Sequence, residues 1–199
     1  MAGSLFTIGH SNQTIEEFLT LLLVHHIDVV ADVRSVPYSQ HTPQFNKEVL
    51  VKALKTKGIQ YVFLGKELGA RTEDLSCYEH GKVVFDRLRN TNLFKTGIER
   101  LLKGLEKGYR IAIMCSEKDP LGCHRFVLVS RSLQKTGCQV LHILSDGSLE
   151  SQEQACQRLM ELLKLEVRPL FDVPETVEEE AFRKQGEKIA FMSHDHEEA

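Results

Sequence analysis

The fold is decided by the run Ile111-Ala112-Ile113-Met114-Cys115-Ser116-Glu117-Lys118-Asp119-Pro120-Leu121-Gly122-Cys123-His124-Arg125. Its apolar first part predicts a buried strand that ends at Cys115, followed by a short polar turn and a helix. Asp119 is a suitable N-cap, and Pro120 then falls at the first helical position, where its missing N–H costs nothing. The run therefore places one thiol at a strand end and a second, Cys123, early in a helix.

The same succession of strand, polar turn and helix occurs along most of the chain. We predict strands over residues 5–8, 27–33, 59–64, 111–115 and 139–144. Capping boxes predict helices that begin at Thr14, Thr96 and Ser151, and Asn46 is a further cap. Strands rich in Val, Ile and Phe that alternate with amphipathic helices predict an α/β fold, with a mostly parallel five-stranded sheet and helices on both faces.

The chain has 199 residues, which is enough for one sizeable core. We predict a single α/β domain over residues 1–171 and a C-terminal appendage, an acidic and loosely ordered tail, over 172–199. The tail contains the acidic run Glu178–Glu180, and one short helix is predicted around 176–190. The whole chain has a net charge of −3 and the tail is more negative than that, so the body is mildly basic. This permits an anionic ligand but is too weak to argue for duplex nucleic acid.

No apolar run reaches the length of a membrane span, so no membrane is expected as a partner. The N-terminus enters the first strand without a basic region or a cleavage site, so we expect no secretory signal. Five cysteines are an odd number scattered through the chain, which favours free thiols in a reducing compartment over a disulfide framework. These observations predict a cytoplasmic protein, and they do not define its oligomeric state.

Polar side chains follow the predicted strands at their carboxyl ends, where open parallel sheets bind ligands in a crevice. They occur at residues 10–12, 32–35 and 115–117. We therefore predict one pocket, with Cys115, Glu117, His10 and Asp32 as catalytic residues and Ser11, Asn12, Arg34, Ser35, Cys123, His124 and Arg125 as ligand-binding residues. The alternatives are solvated loops with helix caps, or a buried hydrogen-bond network that fixes the fold.

Cys115 is the candidate nucleophile or redox centre, because a thiol just ahead of a helix N-terminus and near cationic side chains has a lowered pKa. The alternative is a buried cysteine at a strand end, which its apolar neighbours favour. Glu117 and Asp32 are candidates for a general acid or base. Alternatively, each orients an arginine, Arg125 or Arg34, through a bidentate pair. The two arginines are also candidates for holding a phosphate or carboxylate.

We expect no metal ion and no other cofactor. Cys115, Cys123, His124 and His10 are ligand types, but Cys-x7-Cys-His is not a zinc spacing that we can justify. Cys123 and His124 are adjacent on a helix and point about 100° apart, so both rarely bind one ion. No glycine loop of the phosphate-cradling type is matched, and Leu121 stands where a phosphatase or sulfurtransferase loop would have its arginine.

Four motifs resemble the domain of unknown function 488 family. They are Thr7–Asn12, Asp32–Ser39, Leu64-Gly65 with Leu68-Gly69, and Cys115-Ser116-Glu117 through Cys123-His124-Arg125, of which the last is the most specific. The motifs span residues 5–130, so the tail lies outside the resemblance. The resemblance implies a cytosolic α/β domain and supports the grouping of these residues into one site, but it names no reaction.

The leading hypothesis is an enzyme that binds a small anionic ligand, such as a nucleotide, at the strand ends. A cysteine-dependent transferase or hydrolase is the reaction class that Cys115 favours. The alternative is a non-catalytic module that binds nucleic acid or a phosphorylated partner through the basic body, with the acidic tail as a competitor. Deletion of residues 172–199 would then raise the affinity for polyanions at low salt.

Overall fold

A computed structural model describes residues 4–166 and 173–193, and this part of the chain contains eight strands. They are β1 (Leu5–Gly9), β2 (Val29–Asp32), β3 (Gln60–Phe63), β4 (Tyr78–Glu79), β5 (Lys82–Val83), β6 (Ile111–Cys115), β7 (Val140–Ile143) and β8 (Leu149–Ser151). Five of them, in the order β3-β2-β6-β1-β7, are parallel and form one sheet with β8, which runs antiparallel to β7. Strands β4 and β5 pair as a separate hairpin. The predicted α/β fold is confirmed, with six strands in the mostly parallel sheet in place of five.

Eight α-helices in the described residues surround the sheet. They are α1 (Ile15–Val24), α2 (Lys47–Thr56), α3 (Gly65–Leu68), α4 (Phe85–Asn90), α5 (Asn92–Glu106), α6 (Arg131–Gln134), α7 (Gln152–Leu162) and α8 (Pro174–Ile189). Between β6 and α6 the backbone passes through a 3-10 turn, Pro120–Gly122, and a π-helical segment, Arg125–Ser130. Within the described ranges, every helix is too short or too polar to cross a bilayer.

Both faces of the sheet are covered, as predicted. On β6 the side chains alternate between two buried clusters, with Ala112 and Met114 in one and Ile111, Ile113 and Cys115 in the other. Helices α1 and α2 close the first cluster, whereas α5, the π-helical segment and α8 close the second. Burial on both sides explains why β6 is apolar at every position rather than at alternate ones.

The register of the sheet brings three strand ends together. Strand β6 lies between β1 and β2, with Gly9 opposite Cys115 and Asp32 opposite Met114. The pairing continues one residue beyond β1, because the N–H of His10 donates to the carbonyl of Cys115 at 3.0 Å. The loops that follow β1, β2 and β6 therefore leave the sheet side by side.

Most helix starts follow the predicted caps. The capping boxes at Thr14 and Ser151 are present. The predicted box at Thr96 is wrong, because this residue lies inside α5. The hydroxyl of Thr91 accepts the N–H of Phe94 at 3.2 Å and caps the helix earlier in the chain.

Two local features differ from the sequence prediction. Asn46 lies immediately before α2, but its side-chain oxygen accepts the N–H of Ser39 at 2.7 Å and caps no helix N–H. Strand β8 was not predicted, because it has only three residues and its last residue, Ser151, is also the cap of α7. The turn before β8 contains Gly147 at a φ of 86°, a backbone conformation that favours glycine.

The described part of the tail packs more closely against the body than the sequence predicted. The ring of Phe182 is 2 % exposed and lies 5.2 Å from the ring of Phe126 in the π-helical segment. The buried amide of Gln185 donates to the carbonyl of Leu121 at 2.6 Å, which links α8 to the turn before Cys123. The predicted domain boundary, between residues 171 and 172, lies outside the described residues.

Candidate functional site

A cavity of about 450 Å³ opens where the loops after β2 and β6 leave the sheet. Six residues that the sequence assigned to the site line it: Arg34, Ser35, Cys115, Glu117, Cys123 and His124. Nine further residues complete the lining: Val36, Tyr38, Ser39, Ala70, Arg71, Ser116, Gly122, Ile189 and Phe191. Five predicted site residues lie outside this lining: His10, Ser11, Asn12, Asp32 and Arg125.

Two thiols and an imidazole meet on one wall of the cavity. His124 Nε2 lies 3.2 Å from the carbonyl oxygen of Val33, and because a carbonyl only accepts, Nε2 carries a proton and donates it. This bond turns Nδ1 towards the sulfurs, with Cys115 Sγ at 3.6 Å and Cys123 Sγ at 3.9 Å. We call these three residues, Cys115, Cys123 and His124, the thiol cluster.

Cys123 has an extended backbone and lies immediately before the helical residues that begin at His124. Its carbonyl accepts the N–H of Phe126 at 3.0 Å, and its Sγ accepts the N–H of Arg125 at 3.4 Å. A sulfur at this place is close to the positive end of the helix dipole, which favours the thiolate form. The sequence had assigned Cys123 to ligand binding and had not identified this hydrogen bond to Arg125.

The two thiols differ in their affinity for a proton. Burial alone would raise the pKa of Cys123, but hydrogen bonds from Cys115 and His124 and the charge of Arg125 outweigh it and hold the pKa well below its ordinary value. The hydrogen bond to Cys123, together with burial, raises the pKa of Cys115 well above its ordinary value. The hydrogen bond between the two sulfurs therefore favours ionisation of Cys123 over that of Cys115, the residue that the sequence named as the candidate nucleophile.

Asp32 and Arg34 form a buried ion pair behind the cavity. Arg34 Nε and Nη2 donate to the two carboxylate oxygens at 2.9 and 2.7 Å, and the hydroxyl of Tyr61 donates to the same carboxylate at 2.8 Å. Nη2 also donates to the carbonyl of Phe45 at 2.9 Å, and Nη1 lies 3.2 Å from His10 Nε2. The bidentate pair that the sequence gave as an alternative for Asp32 is present.

His10 is a neutral histidine that accepts a hydrogen bond from Arg34. Its Nδ1 lies 2.8 Å from the carbonyl oxygen of Ser11, so Nδ1 donates there and Nε2 accepts from Arg34. Its ring stacks on that of Phe45 at 4.3 Å. Burial, against an opposing hydrogen bond to Ser11, lowers the pKa of His10 to about 4. His10 supports Arg34 from behind and does not reach the thiol cluster.

Arg125 holds the loop after β6 in place. It is 1 % exposed, and its Nη1 and Nη2 donate to the carbonyls of Glu117 and Lys118 at 2.6 and 3.1 Å. Gly9 permits this approach, since a Cβ at that position would lie 1.7 Å from the carbonyl oxygen of Glu117. The predicted pairing of Arg125 with a carboxylate is replaced by hydrogen bonds to backbone carbonyls.

The carboxyl of Glu117 lies at the rim of the cavity. Partial burial and the nearby Cys123 raise the pKa of Glu117 above its ordinary value, against the opposing charge of Arg125. A carboxyl whose pKa is raised retains a proton that it can donate closer to neutral pH.

Ser11 and Asn12 form the turn between β1 and α1. Ser11 has a φ of 48°, and its hydroxyl donates to the side-chain oxygen of Asn12 at 3.3 Å. Ser35, in contrast, lies on the cavity wall, where its Oγ accepts the backbone N–H of Arg71 at 3.0 Å. Ser35 therefore connects the loop after β2 to a second loop of the cavity.

Arg71 and Phe191 are cavity residues that sequence reasoning missed. The guanidinium carbon of Arg71 lies 4.4 Å from the centre of the Phe191 ring, and the Arg71 side chain is exposed. Arg71 belongs to a stretch without clear periodicity, and Phe191 to the acidic tail. The apolar run Ile189-Ala190-Phe191-Met192 inside that tail was the one signal that could have revealed the contact.

The thiol cluster also has the composition of a metal site. Its two Sγ atoms and His124 Nδ1 all lie within 4.8 Å of one another. These are ligand types that suit a soft divalent ion such as zinc, and the hydrogen bond from Nε2 to a carbonyl is the usual support for a histidine ligand.

No curated protein matches this chain. A family model described as "Domain of unknown function DUF488" matches residues 14–132. The matched segment contains the ion pair of Asp32 and Arg34, Arg71 and the whole thiol cluster. Because the match covers more than half of the sequence, the chain belongs to the DUF488 family.

Proposed function

We propose that this protein is a cysteine-dependent enzyme, a transferase or hydrolase, which acts on a small anionic substrate in the cavity at the strand ends. Cys123 is its nucleophile. The observation that carries the proposal is the position of Cys123, a residue of the cavity lining whose Sγ accepts the N–H of Arg125 at the start of a helix, with His124 Nδ1 at 3.9 Å.

The thiolate of Cys123 forms a covalent bond to an electrophilic centre of the substrate, and the leaving group departs with the bonding electron pair. His124 Nδ1 takes the thiol proton, because Nε2 is committed to the carbonyl of Val33. Glu117, whose pKa is raised, donates a proton to the leaving group from the rim of the cavity. Water or another acceptor then releases the product and restores Cys123.

Charge at the cavity supports an anionic substrate. The guanidinium of Arg71 is exposed beside the opening, where it stacks on Phe191 and makes no ion pair among those found in the described residues. Arg34 is less available, since its charge is matched by Asp32. We therefore assign the anion contact to Arg71, and Arg34 positions the loop that precedes it.

Competition between two alkylating reagents tests both parts of the proposal. Iodoacetate and iodoacetamide attack the same thiolate, but only iodoacetate is an anion. We expect both reagents to modify Cys123 first, with a pH midpoint below the ordinary cysteine pKa of about 8.5. Relative to free cysteine, the rate ratio of iodoacetate to iodoacetamide should be raised several-fold, and peptide mapping identifies the modified residue.

Two variants of equal charge change provide the controls. Arg71→Gln should remove the preference for iodoacetate, whereas Lys57→Gln, at an exposed position distant in sequence, should keep it. Modification of Cys123 no faster than that of free cysteine, in a protein that remains folded, would refute the nucleophile. A rate ratio equal to that of free cysteine would refute the anionic substrate and leave the nucleophile in place.

A further inference from the structure

The second thiol of the cluster has no part in the mechanism above, although it is the nearest reactive neighbour of the nucleophile. Cys115 Sγ and Cys123 Sγ lie within 4.8 Å of each other, and His124 Nδ1 is 3.6 Å from the first and 3.9 Å from the second. Both residues line the same cavity. A reagent that reaches Cys123 therefore also comes within reach of Cys115.

The two sulfurs sit in different backbone surroundings. Cys115 is the last residue of β6, between two paired strands, so its position is fixed by the sheet. Cys123 follows Gly122, which is exposed and would have open space around an added Cβ. A disulfide needs the sulfurs at about 2.05 Å, so one of them must approach the other. The open space at Gly122 leaves room for that approach on the Cys123 side.

We propose that Cys115 is the resolving thiol of a dithiol pair, so that Cys123 and Cys115 together reduce a small anionic disulfide and close into a reversible Cys115–Cys123 disulfide. This inference rests on Cys123 as the nucleophile of the proposed function, and it extends that function to a two-electron exchange. The substrate class it names is a low-molecular-weight disulfide with negatively charged substituents.

The exchange balances in two steps. Cys123 thiolate attacks one sulfur of the substrate disulfide, a protein–substrate disulfide forms, and the other half of the substrate leaves as a thiolate that takes the proton held on His124 Nδ1. Cys115 then loses its proton to His124 Nδ1 and attacks Cys123 Sγ, which releases the second half as a thiolate that takes the proton from His124. The protein dithiol supplies two electrons, and the substrate disulfide becomes two thiols. Excess low-molecular-weight thiol returns the protein to the dithiol by the reverse exchange.

The pair has the asymmetry that such a cycle requires. The attacking sulfur must be ionised, whereas the resolving sulfur must remain protonated until the mixed disulfide has formed. Cys123 is stabilised as thiolate by the helix N–H, and Cys115 keeps its proton as the donor to Cys123. Once Cys123 Sγ is bonded to the substrate, it no longer accepts the Cys115 thiol, and His124 Nδ1, 3.6 Å from Cys115 Sγ, is the nearest recorded base for that proton.

Ellman's reagent, an aromatic disulfide with two carboxylates, tests the inference on the reduced full-length protein. Each exchange releases one coloured thionitrobenzoate. We expect the wild-type protein to release two equivalents in its fast phase and to lose the mass of two hydrogen atoms, with the new disulfide mapped to the peptides of Cys115 and Cys123. Cys115→Ser should release one equivalent and keep the second as a stable adduct on Cys123.

Cys156→Ala is the matched control. Burial raises the pKa of Cys156 to about 12, so this variant should keep the two-equivalent fast phase. If wild-type protein releases one equivalent and retains the adduct on Cys123, the resolving role of Cys115 is refuted and the nucleophile of the proposed function survives. If Cys123 does not react in folded protein, both are refuted. Because the wild-type mass and peptide map do not depend on any variant, the test stands even if Cys115→Ser fails to fold.

Discussion

Arg34 donates a hydrogen bond to each carboxylate oxygen of Asp32, from Nε at 2.9 Å and from Nη2 at 2.7 Å, and neither side chain is more than 5 % exposed. Because both charges are buried, Arg34 could bind an anionic ligand only by giving up its ion pair with Asp32. Removal of one partner leaves the other charged and buried, which costs far more than removal of both. The pair therefore positions the loop after β2 and fixes the wall on which Ser35 lies.

We expect Arg34→Met to lower the free energy of unfolding by about 3–5 kcal/mol, because Asp32 would be left unpaired inside the protein. Urea denaturation followed by circular dichroism measures the change. Lys57→Met, at an exposed position, should change stability by no more than about 0.5 kcal/mol. Unchanged stability in Arg34→Met with a weakened preference for iodoacetate would instead show that Arg34 contacts the anion.

Arg125 gives a second test of a positioning role. Arg125→Met removes the donors for the carbonyls of Glu117 and Lys118, so we expect a loss of about 3 kcal/mol in unfolding free energy. The loop that carries Glu117 should also become accessible to proteases. Arg183→Met, on the exposed face of α8, should show neither effect. A ligand role for Arg125 predicts the opposite pattern, with stability kept and substrate binding lost.

The pH dependence of stability should reveal two buried histidines. Burial lowers the pKa of His10 and of His142 to about 4, so the folded protein holds both rings neutral. The unfolded chain binds protons from about pH 6.5, which means that the stabilisation is complete above that pH and is lost as the pH falls towards 4. Each ring should contribute a loss of about 3 kcal/mol across this window.

Denaturation at several pH values measures that loss of unfolding free energy. In His10→Gln, the pH dependence should be smaller by the contribution of one histidine ring. The exposed His41 serves as control, since His41→Gln should leave the slope unchanged. A slope of the same size in His10→Gln as in the wild-type protein would show that His10 is not held neutral in the folded state.

The contact between α8 and the body should be required for the site. We expect Phe182→Ala to lower unfolding free energy by about 3–5 kcal/mol, because the ring is buried against Phe126. The same change should weaken the preference of Cys123 for iodoacetate, since the tail supplies Phe191 to the cavity wall. Val173→Ala, at a largely exposed side chain, is the control.

The tail also separates the two functional interpretations. If the protein were a nucleic-acid-binding module with the tail as a competitor, deletion of residues 172–199 would raise the affinity for polyanions at low salt. The packing of α8 predicts instead a protein of lower stability with an opened cavity. Fluorescence anisotropy with a labelled oligonucleotide, together with thermal unfolding, distinguishes these outcomes.

Metal removal tests whether the thiol cluster works as a free thiolate. Hydrogen bonds from the N–H of Arg125 and from Cys115 stabilise the Cys123 thiolate without a cation, so we expect dialysis against a chelator to leave its alkylation rate unchanged. Elemental analysis of the protein before and after dialysis provides the check. Release of stoichiometric zinc with a rise in the alkylation rate would show that Cys115, Cys123 and His124 hold a metal ion.

The sequence predicted the sheet well because a strand that is buried on both faces is apolar at every position, and this pattern can be seen in a short stretch of sequence. Every residue of β6 is apolar, and the polar residues that follow it mark the strand end. The same argument placed Cys115, Ser35 and Glu117 at one cavity. Strand β8 was missed because it has only three residues, and the cap at Thr91 was missed because Thr96 is a residue of the same type that could equally begin the helix.

The roles within the site were harder to predict than its position. The choice between Cys115 and Cys123 depends on which sulfur accepts the N–H of Arg125, and no spacing in the sequence encodes that. Arg34 and Arg125 are of a residue type that often binds anions. In the folded chain, however, Arg34 pairs with a carboxylate and Arg125 donates to backbone carbonyls. Arg71 and Phe191 are 120 residues apart in sequence, and neither has a periodic pattern around it.

Because Phe191 is synthesised after the other residues of the cavity, the cavity can be completed only late in translation. The sheet, the ion pair and both thiols are encoded by residue 151, whereas the aromatic wall beside Arg71 emerges from the ribosome forty residues later. A nascent chain that has already folded its sheet therefore carries Cys123 in an unfinished hollow. Reactivity of that sulfur in ribosome-bound chains would report the moment at which the last wall closes.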